Sequence, residues 1–355
     1  MSRRAGRSLA RIRSGAGGTS ISTLIVGQRQ VTRLLPMDRC ISLMESVLAS
    51  LSRGETLLPL RSILWLPGRT GALGLMPAFL GVERALGVKV VTFFPTNEGT
   101  ARDSHQGAVL LFDAETGSLS AILDATSITA IRTAAVSGAA TRALAREDAA
   151  ELALVGSGVQ ARTHLEAMLA VRPIRRVRVV SRDPARAAGF ARRESARWDI
   201  PVEPSPSVRE AVLGAAIVCV ATSSREPVLA GEWLAPGTHV NAVGSSVASA
   251  RELDTEAVQR SRLYVDRRES ASNEAGDFVI PRNEGAVGEE HIVAEIGDVL
   301  IGNAPGRRSA DEITLFKSVG LAVEDVACAR FLADRARGEP DVVELDLGGA
   351  RDAAD

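Results

Sequence analysis

The sequence predicts an α/β protein: a Rossmann-type doubly wound parallel sheet joined to a discontinuous α+β substrate domain. Three observations predict it. From residue 151 onward, strand-like and helix-like segments alternate, the pattern of a parallel sheet covered on both faces. Gly156-Ser157-Gly158-Val159-Gln160-Ala161 fits G-x-G-x-x-G/A and stands between a predicted strand and a predicted helix. The segment ahead of it reads instead as a helix and a hairpin meander with its own charged residues.

The elements follow in chain order. Residues 1–22 are rich in Arg and contain no acid. They lack the apolar stretch of a signal peptide and read as a basic flexible tail, or as the product of an upstream start codon that is not used. Asp38 is placed to cap a helix with the apolar stripe Ile41, Met44, Leu48 and Leu51. Strands are predicted at 62–66, 74–80, 88–94, 107–112 and 119–124, with a turn at 113–117. An Ala-rich helix over 129–145 crosses into the next unit. Strands at 152–155, 177–180, 217–221, 239–243 and 263–265 then alternate with helices at 159–171, 184–198, 207–213 and 252–260. Residues 314–337 read as one long helix with apolar Leu315, Val319, Ala322 and Val326, returning to the first domain. The expected organisation is therefore 23–146 with 311–355 as the substrate-binding domain, and 147–310 as the dinucleotide-binding domain.

Composition narrows the function. The 355 residues suffice for two domains with a core each. A net charge of −1 gives no general attraction to nucleic acid or an anionic membrane. With aromatics at 3%, a base-stacking surface is not expected. No apolar run is long enough to span a membrane, and the expected location is the cytoplasm. Cys40, Cys219 and Cys328 lack metal-ligand spacing and read as reduced, buried small hydrophobes. His105, His164, His239 and His291 show no ligand spacing either, so no metal is assigned; His105 is open to facing the site or to a structural role.

Within the glycine motif, Gly156 permits the tight turn and Gly158 lets backbone approach a pyrophosphate. Ala161 allows close helix–strand packing, and the amides around Val159 and Gln160 hold phosphate. The next strand ends Ser181-Arg182-Asp183. Ser181 and Arg182 can donate to a 2′-phosphate, which favours NADP(H); Asp183, one place late for a ribose hydroxyl, leaves NAD(H) open. Thr222 ends a later strand beside the coenzyme or simply caps it. Arg61, Lys89 and Arg132 are cations in apolar settings, with Arg132 opening its helix. Converging beside a nicotinamide, they suit a small carboxylate. Lys89 from pattern alone also reads as an edge or solvent-facing residue.

Taken jointly, several segments carry a resemblance: residues 87–91, 105–113, Ile131-Arg132-Thr133-Ala134-Ala135-Val136-Ser137, 155–161, His239-Val240-Asn241-Ala242-Val243-Gly244-Ser245, and 314–320. From about Leu24 to Gly338 the chain resembles the ornithine cyclodeaminase/mu-crystallin family. The resemblance implies a homodimer in which Arg61 and Arg132 hold a substrate carboxylate. It places Lys89 near the reacting carbon, and Ser318 near the nicotinamide or substrate. Arg132, Thr133, Thr222, Val243, Gly244 and Ser318 would flank the coenzyme. Cyclodeaminases of the family carry an Asp, and a Lys four residues on, where this chain has Ser246 and Ala250. A hydroxyl with an ordinary pKa is no base near neutral pH. The resemblance therefore points to the mu-crystallin branch and to reduction of cyclic or linear 2-imino acids, with Lys89, Ser246 and Ser318 as candidate catalytic groups. Cyclodeamination, alanine-type dehydrogenation, an NADPH-dependent binding protein and an inactive homologue remain as alternatives; retention of Arg61, Lys89 and Arg132 counts against the last.

Overall fold

The computed structural model describes residues 22–97 and 99–348. Apart from Ser22, the predicted basic tail lies outside the described residues.

Two eight-stranded sheets organise the described residues. The first contains β1 (Ser22–Val26), β2 (Thr56–Leu57), β3 (Ser62–Trp65), β4 (Ala72–Leu80), β5 (Ala85–Phe93), β6 (His105–Asp113), β7 (Leu119–Asp124) and β16 (Val343–Asp346). Its order is β16-β1-β7-β6-β5-β4-β2, with β3 paired to β4; every pairing is antiparallel except β1 with β7. The second contains β8 (Glu151–Val155), β9 (Arg176–Val180), β10 (Val202–Pro204), β11 (Ile217–Val220), β12 (His239–Ala242), β13 (Arg262–Val265), β14 (Ile292–Glu295) and β15 (Thr314–Lys317). It is parallel throughout, in the order β10-β9-β8-β11-β12-β15-β13-β14. Alternate residues of β8 enter two different cores, Leu152 and Leu154 on one face, Ala153 and Val155 on the other. That alternation is the signature of a sheet buried on both sides.

Four helices position the site: α1 (Met37–Ser52), α2 (Ala125–Leu144), α3 (Val159–Val171) and α4 (Ala322–Ala336). Ala and other small residues let α2 be buried almost all round, between α1, α3 and α4. Asp124 accepts the Ser127 amide at 2.8 Å and so fixes its start. Lys89 shares a face of β5 with Ala85 and Gly87, and α4 covers that face.

Three expectations are corrected. Residues 314–317 are a strand inside the second sheet, not the first turns of a long helix. All four are buried between β12 and β13, and an apolar run buried on both faces has no period that separates strand from helix. Gly320, at φ +80°, then breaks the chain before α4 begins. Arg132 does not open its helix; α2 starts at Ala125, so Arg132 is in its third turn. Asp38 lies in the first turn of α1 and makes no cap; Pro36 holds the cap position.

Candidate active site

In the second sheet the chain leaves β8 toward β9 and resumes with β11 on the other side. A crevice opens outside the carboxyl ends of strands at such a reversal. Gly156 sits there at φ +117°, and a Cβ on it would lie 2.4 Å from the Ala221 carbonyl oxygen. Only glycine lets the turn after β8 pass so close to the end of β11. A Cβ on Gly158 would meet no atom within 4 Å, so the space above this turn is open. The thirteen-residue α3 begins immediately afterwards, and Gln160 Oε1 is buried without a hydrogen-bond partner among the described residues. An open glycine cradle, a helix N-terminus and an orphaned polar atom fit a dinucleotide.

A cleft of about 400 Å³ joins this crevice to the first sheet. From one side Arg61, Lys89, His105 and Arg132 line it; from the other, Val159, Gln160, Thr222, Gly244 and Ser318. The cations are held by carboxylates that the sequence did not single out. Lys89 Nζ lies 2.6 Å from Asp325 Oδ2. Arg132 donates through Nε to Asp325 Oδ1 at 3.0 Å and through Nη1 to Glu324 Oε2 at 2.8 Å. Arg61 Nη2 donates to the carbonyls of Val319 and Gly320 and pairs with Glu274 at 2.8 Å.

Burial sets the protonation of this cluster. It lowers the Lys89 pKa to about 8, outweighing the pull of Asp325. It raises Glu324 to about 7, against the opposing attraction of Arg132. For Asp325 burial works in the same upward direction, but Arg132 and Lys89 overcome it and hold the pKa below the usual range. For Arg132, burial is outweighed by Asp325 and Glu324, and the guanidinium stays charged. His105 is held below its ordinary value by desolvation and then by Lys89; its ring packs 4.7 Å from that of Phe93.

A second buried chain lies under the coenzyme side. Glu252 accepts the amides of Thr222 at 2.5 Å and Gly244 at 2.6 Å, tying the ends of β11 and β12 together. Asp277 accepts the amides of Glu252 and Leu253 and pairs with Lys317 Nζ at 3.0 Å. Lys317 precedes Ser318, whose Oγ is 3.5 Å from Asp266. Asp266 also accepts the amides of Val319 and Gly320. The ends of β11, β12 and β15 that line the cleft are thus pinned by buried acids.

Of the predicted site residues, Arg61, Lys89, Arg132, Thr133, Val159, Gln160, Thr222, Val243, Gly244, Ser246 and Ser318 meet in this one cleft. Gly156, Gly158 and Ala161 shape the turn and helix behind its wall, and Ser181 and Arg182 lie past the end of β9. Lys89 is buried rather than on an edge. Asp183 accepts the Ala185 amide at 2.9 Å as an N-cap. Cys40 and Cys328, remote in sequence, bring their Sγ atoms to 3.8 Å; all three cysteines are free and buried. His164 and His239 are buried in hydrogen bonds to Gln160, Ser137 and Thr314.

The ornithine cyclodeaminase/mu-crystallin family matches the chain over residues 22–340. The chain belongs to this family. It is 41% identical over 294 residues to the ketimine reductase mu-crystallin of Mus musculus, covering 82% of this chain and 90% of that one. It is 35% identical over 325 residues to a Δ1-pyrroline-2-carboxylate reductase of Bacillus cereus, covering 91% of this chain and all of the relative. Among solved structures, the Thermococcus litoralis Δ1-pyrroline-2-carboxylate reductase in complex with NADH and L-proline superposes with a TM-score of 0.87 at 40% identity, over 89% of this chain and 98% of that one.

Proposed function

We propose that this chain reduces the C=N bond of small cyclic or linear 2-imino acids, such as pyrroline-2-carboxylate and piperideine-2-carboxylate, using a reduced nicotinamide coenzyme. One observation carries the proposal: Arg61, Lys89 and Arg132 share a cleft with the residues beside the dinucleotide turn. The family membership and the activities named for the relatives support it. Ser246 lines the cleft where cyclodeaminases of this family place an acid, so the wall lacks a base there.

When bound, the coenzyme supplies a hydride to the C=N carbon. Arg132 and Arg61 hold the substrate carboxylate and so fix which carbon faces the ring. Lys89 hydrogen-bonds the substrate nitrogen and gives it one proton, so that hydride and proton together replace the C=N π bond. Asp325 keeps Lys89 aimed. Ser246 and Ser318 hold water or substrate at the remaining edge.

Several finer properties belong to the same reading. NADP(H) is the preferred coenzyme, because Ser181 and Arg182 follow β9 while Asp183 is engaged as a helix cap. A homodimer is supported by the exposure of the whole of β3 and of Leu57, Leu64 and Trp65 on one sheet edge. Reduced cysteines suit a cytoplasmic site of action. Among the described residues, no helix is long and apolar enough to cross a membrane.

The test is oxidation of NADPH with pyrroline-2-carboxylate, piperideine-2-carboxylate, and pyruvate plus methylamine, with ammonia release from ornithine followed separately. Turnover of an imine with no ornithine-dependent ammonia is expected; ammonia release without imine turnover overturns the proposal. Arg182→Ala is expected to raise KM for NADPH by about tenfold or more, a lost charge-assisted phosphate contact, and to leave KM for NADH nearly unchanged. Equal effects on both coenzymes would remove the NADP(H) preference.

A further inference from the structure

Two buried carboxylates surround Arg132, and they are not equivalent. Asp325 is shared between Arg132 and Lys89. Glu324 has one cation, Arg132, and accepts the Leu321 amide through the same Oε2. Its Oε1 is buried without a hydrogen-bond partner among the described residues. The charged groups around it are Arg132 from α2, Asp325 from its own helix, and Asp266 after β13. Lys89 from β5 reaches the cluster through Asp325, while Arg61 lies beside Asp266 and pairs with Glu274.

The charge balance is unfavourable for an anionic ligand. Arg61, Lys89 and Arg132 face Asp266, Glu274, Glu324 and Asp325, so the fully ionised cluster has one more acid than base. A substrate carboxylate entering beside Arg132 would add another negative charge in a water-poor site. Binding is then favoured if one internal acid becomes neutral.

We infer that Glu324 takes up a proton when the substrate carboxylate binds, so that Arg132 exchanges an internal anion for the substrate's. This rests on the proposed imino-acid site. The other acids are worse candidates. Asp325 is held by two cations. Burial raises Asp266 as well, but three amides, from Arg267, Val319 and Gly320, favour its charged form, where Glu324 accepts one. Glu274 is partly open to solvent and faces Arg61 instead. Glu324 already lies near neutrality, pushed up to about 7 by burial and by Asp266 and Asp325. The sign follows from linkage. An added anion raises the Glu324 pKa further, protons are bound with the ligand, and affinity falls as pH rises above about 7.

Pyrrole-2-carboxylate is a suitable probe, being a small planar acid whose nitrogen is not basic. Calorimetric titration of the coenzyme-saturated wild-type protein, at pH 7.5 in buffers of different ionisation enthalpy, is expected to show uptake approaching one proton per ligand. Affinity should weaken between pH 7 and 8.5 by up to about tenfold per unit. In Glu324→Gln the uptake should drop to the smaller share contributed by Lys89, with affinity nearly flat from pH 7 to 7.5. An infrared difference spectrum of the wild type should gain a protonated-carboxyl stretching band on binding, a readout that needs no variant. Binding with no proton uptake and no such band overturns the assignment of Glu324 and leaves the imino-acid site standing. Undiminished uptake in Glu324→Gln does the same. Failure of the probe to bind, or to compete with the imine, overturns the site and this inference together.

Discussion

Lys89→Met is expected to lower kcat by about 10²–10⁴-fold, the usual contribution of a positioned acid, with a smaller change in KM. Lys89 Nζ lines the cleft 2.6 Å from Asp325 and is the titratable cation there. With its pKa lowered to about 8 by burial, it is mostly protonated at pH 7 yet gives up its proton far more readily than an ordinary lysine. Only the protonated form can donate, so wild-type kcat at saturating substrate should fall about tenfold per unit once pH passes the Lys89 pKa in the complex, which lies at or above the value of about 8 in the free protein. That alkaline limb should vanish in Lys89→Met. Lys89→Arg separates charge from proton transfer: a guanidinium keeps the pairing with Asp325 but does not release a proton. A Lys89→Arg enzyme with near wild-type kcat would show that Lys89 acts by charge alone. Steady-state rates from pH 6 to 9.5 on the three proteins decide the matter.

Much of this site was legible because its signals are local. The glycine motif spans six consecutive residues, and the helices at 159–171 and 184–198 have the bounds that periodicity and a Pro start dictate. Arg61, Lys89 and Arg132 stood out as cations in apolar surroundings. Their acidic partners did not. Asp325 is 193 residues from Arg132, and an acid pair at the start of a helix reads as an ordinary first turn or solvent face. Glu252 and Asp277 were hidden for the same reason: Glu252 reads as the first residue of a predicted helix over 252–260, and Asp277, its partner through the Glu252 amide, is 25 residues further on. The strand at 314–317 was missed because it enters the parallel sheet out of chain order, between β12 and β13, which only tertiary pairing decides. Lys317 inside that strand was the available clue. A lysine in a run of buried apolar residues needs a buried acid, and Asp277 supplies it.

The same partners change what removal of Arg132 should do. From the sequence alone, Arg132→Ala is a loss of substrate binding in an intact protein. In the structure, the guanidinium separates Glu324 from Asp325, and both carboxylates are wholly buried. Removing it leaves Glu324 without a cation and Asp325 with Lys89 only. Breaking such a buried pair costs about 3–5 kcal/mol, and loss of the carboxylate contact costs a further 1.5–3 kcal/mol of kcat/KM. The stability loss should depend on pH. With Arg132 absent, Glu324 is raised still further above its unfolded value, so the folded state binds more protons than the unfolded one. Stability then falls as pH rises from about 4.5 through the raised folded value. Thermal unfolding of Arg132→Ala should therefore be close to wild type at pH 5.5 and clearly lower at pH 8. The double variant Arg132→Ala/Glu324→Gln should recover part of the pH 8 loss, because one of the two stranded charges is gone, yet keep the full kcat/KM loss of Arg132→Ala. Equal melting temperatures for wild type and Arg132→Ala at pH 8 would mean that water reaches these carboxylates. The low-dielectric cluster that sets the Lys89 and Glu324 protonation would then not exist.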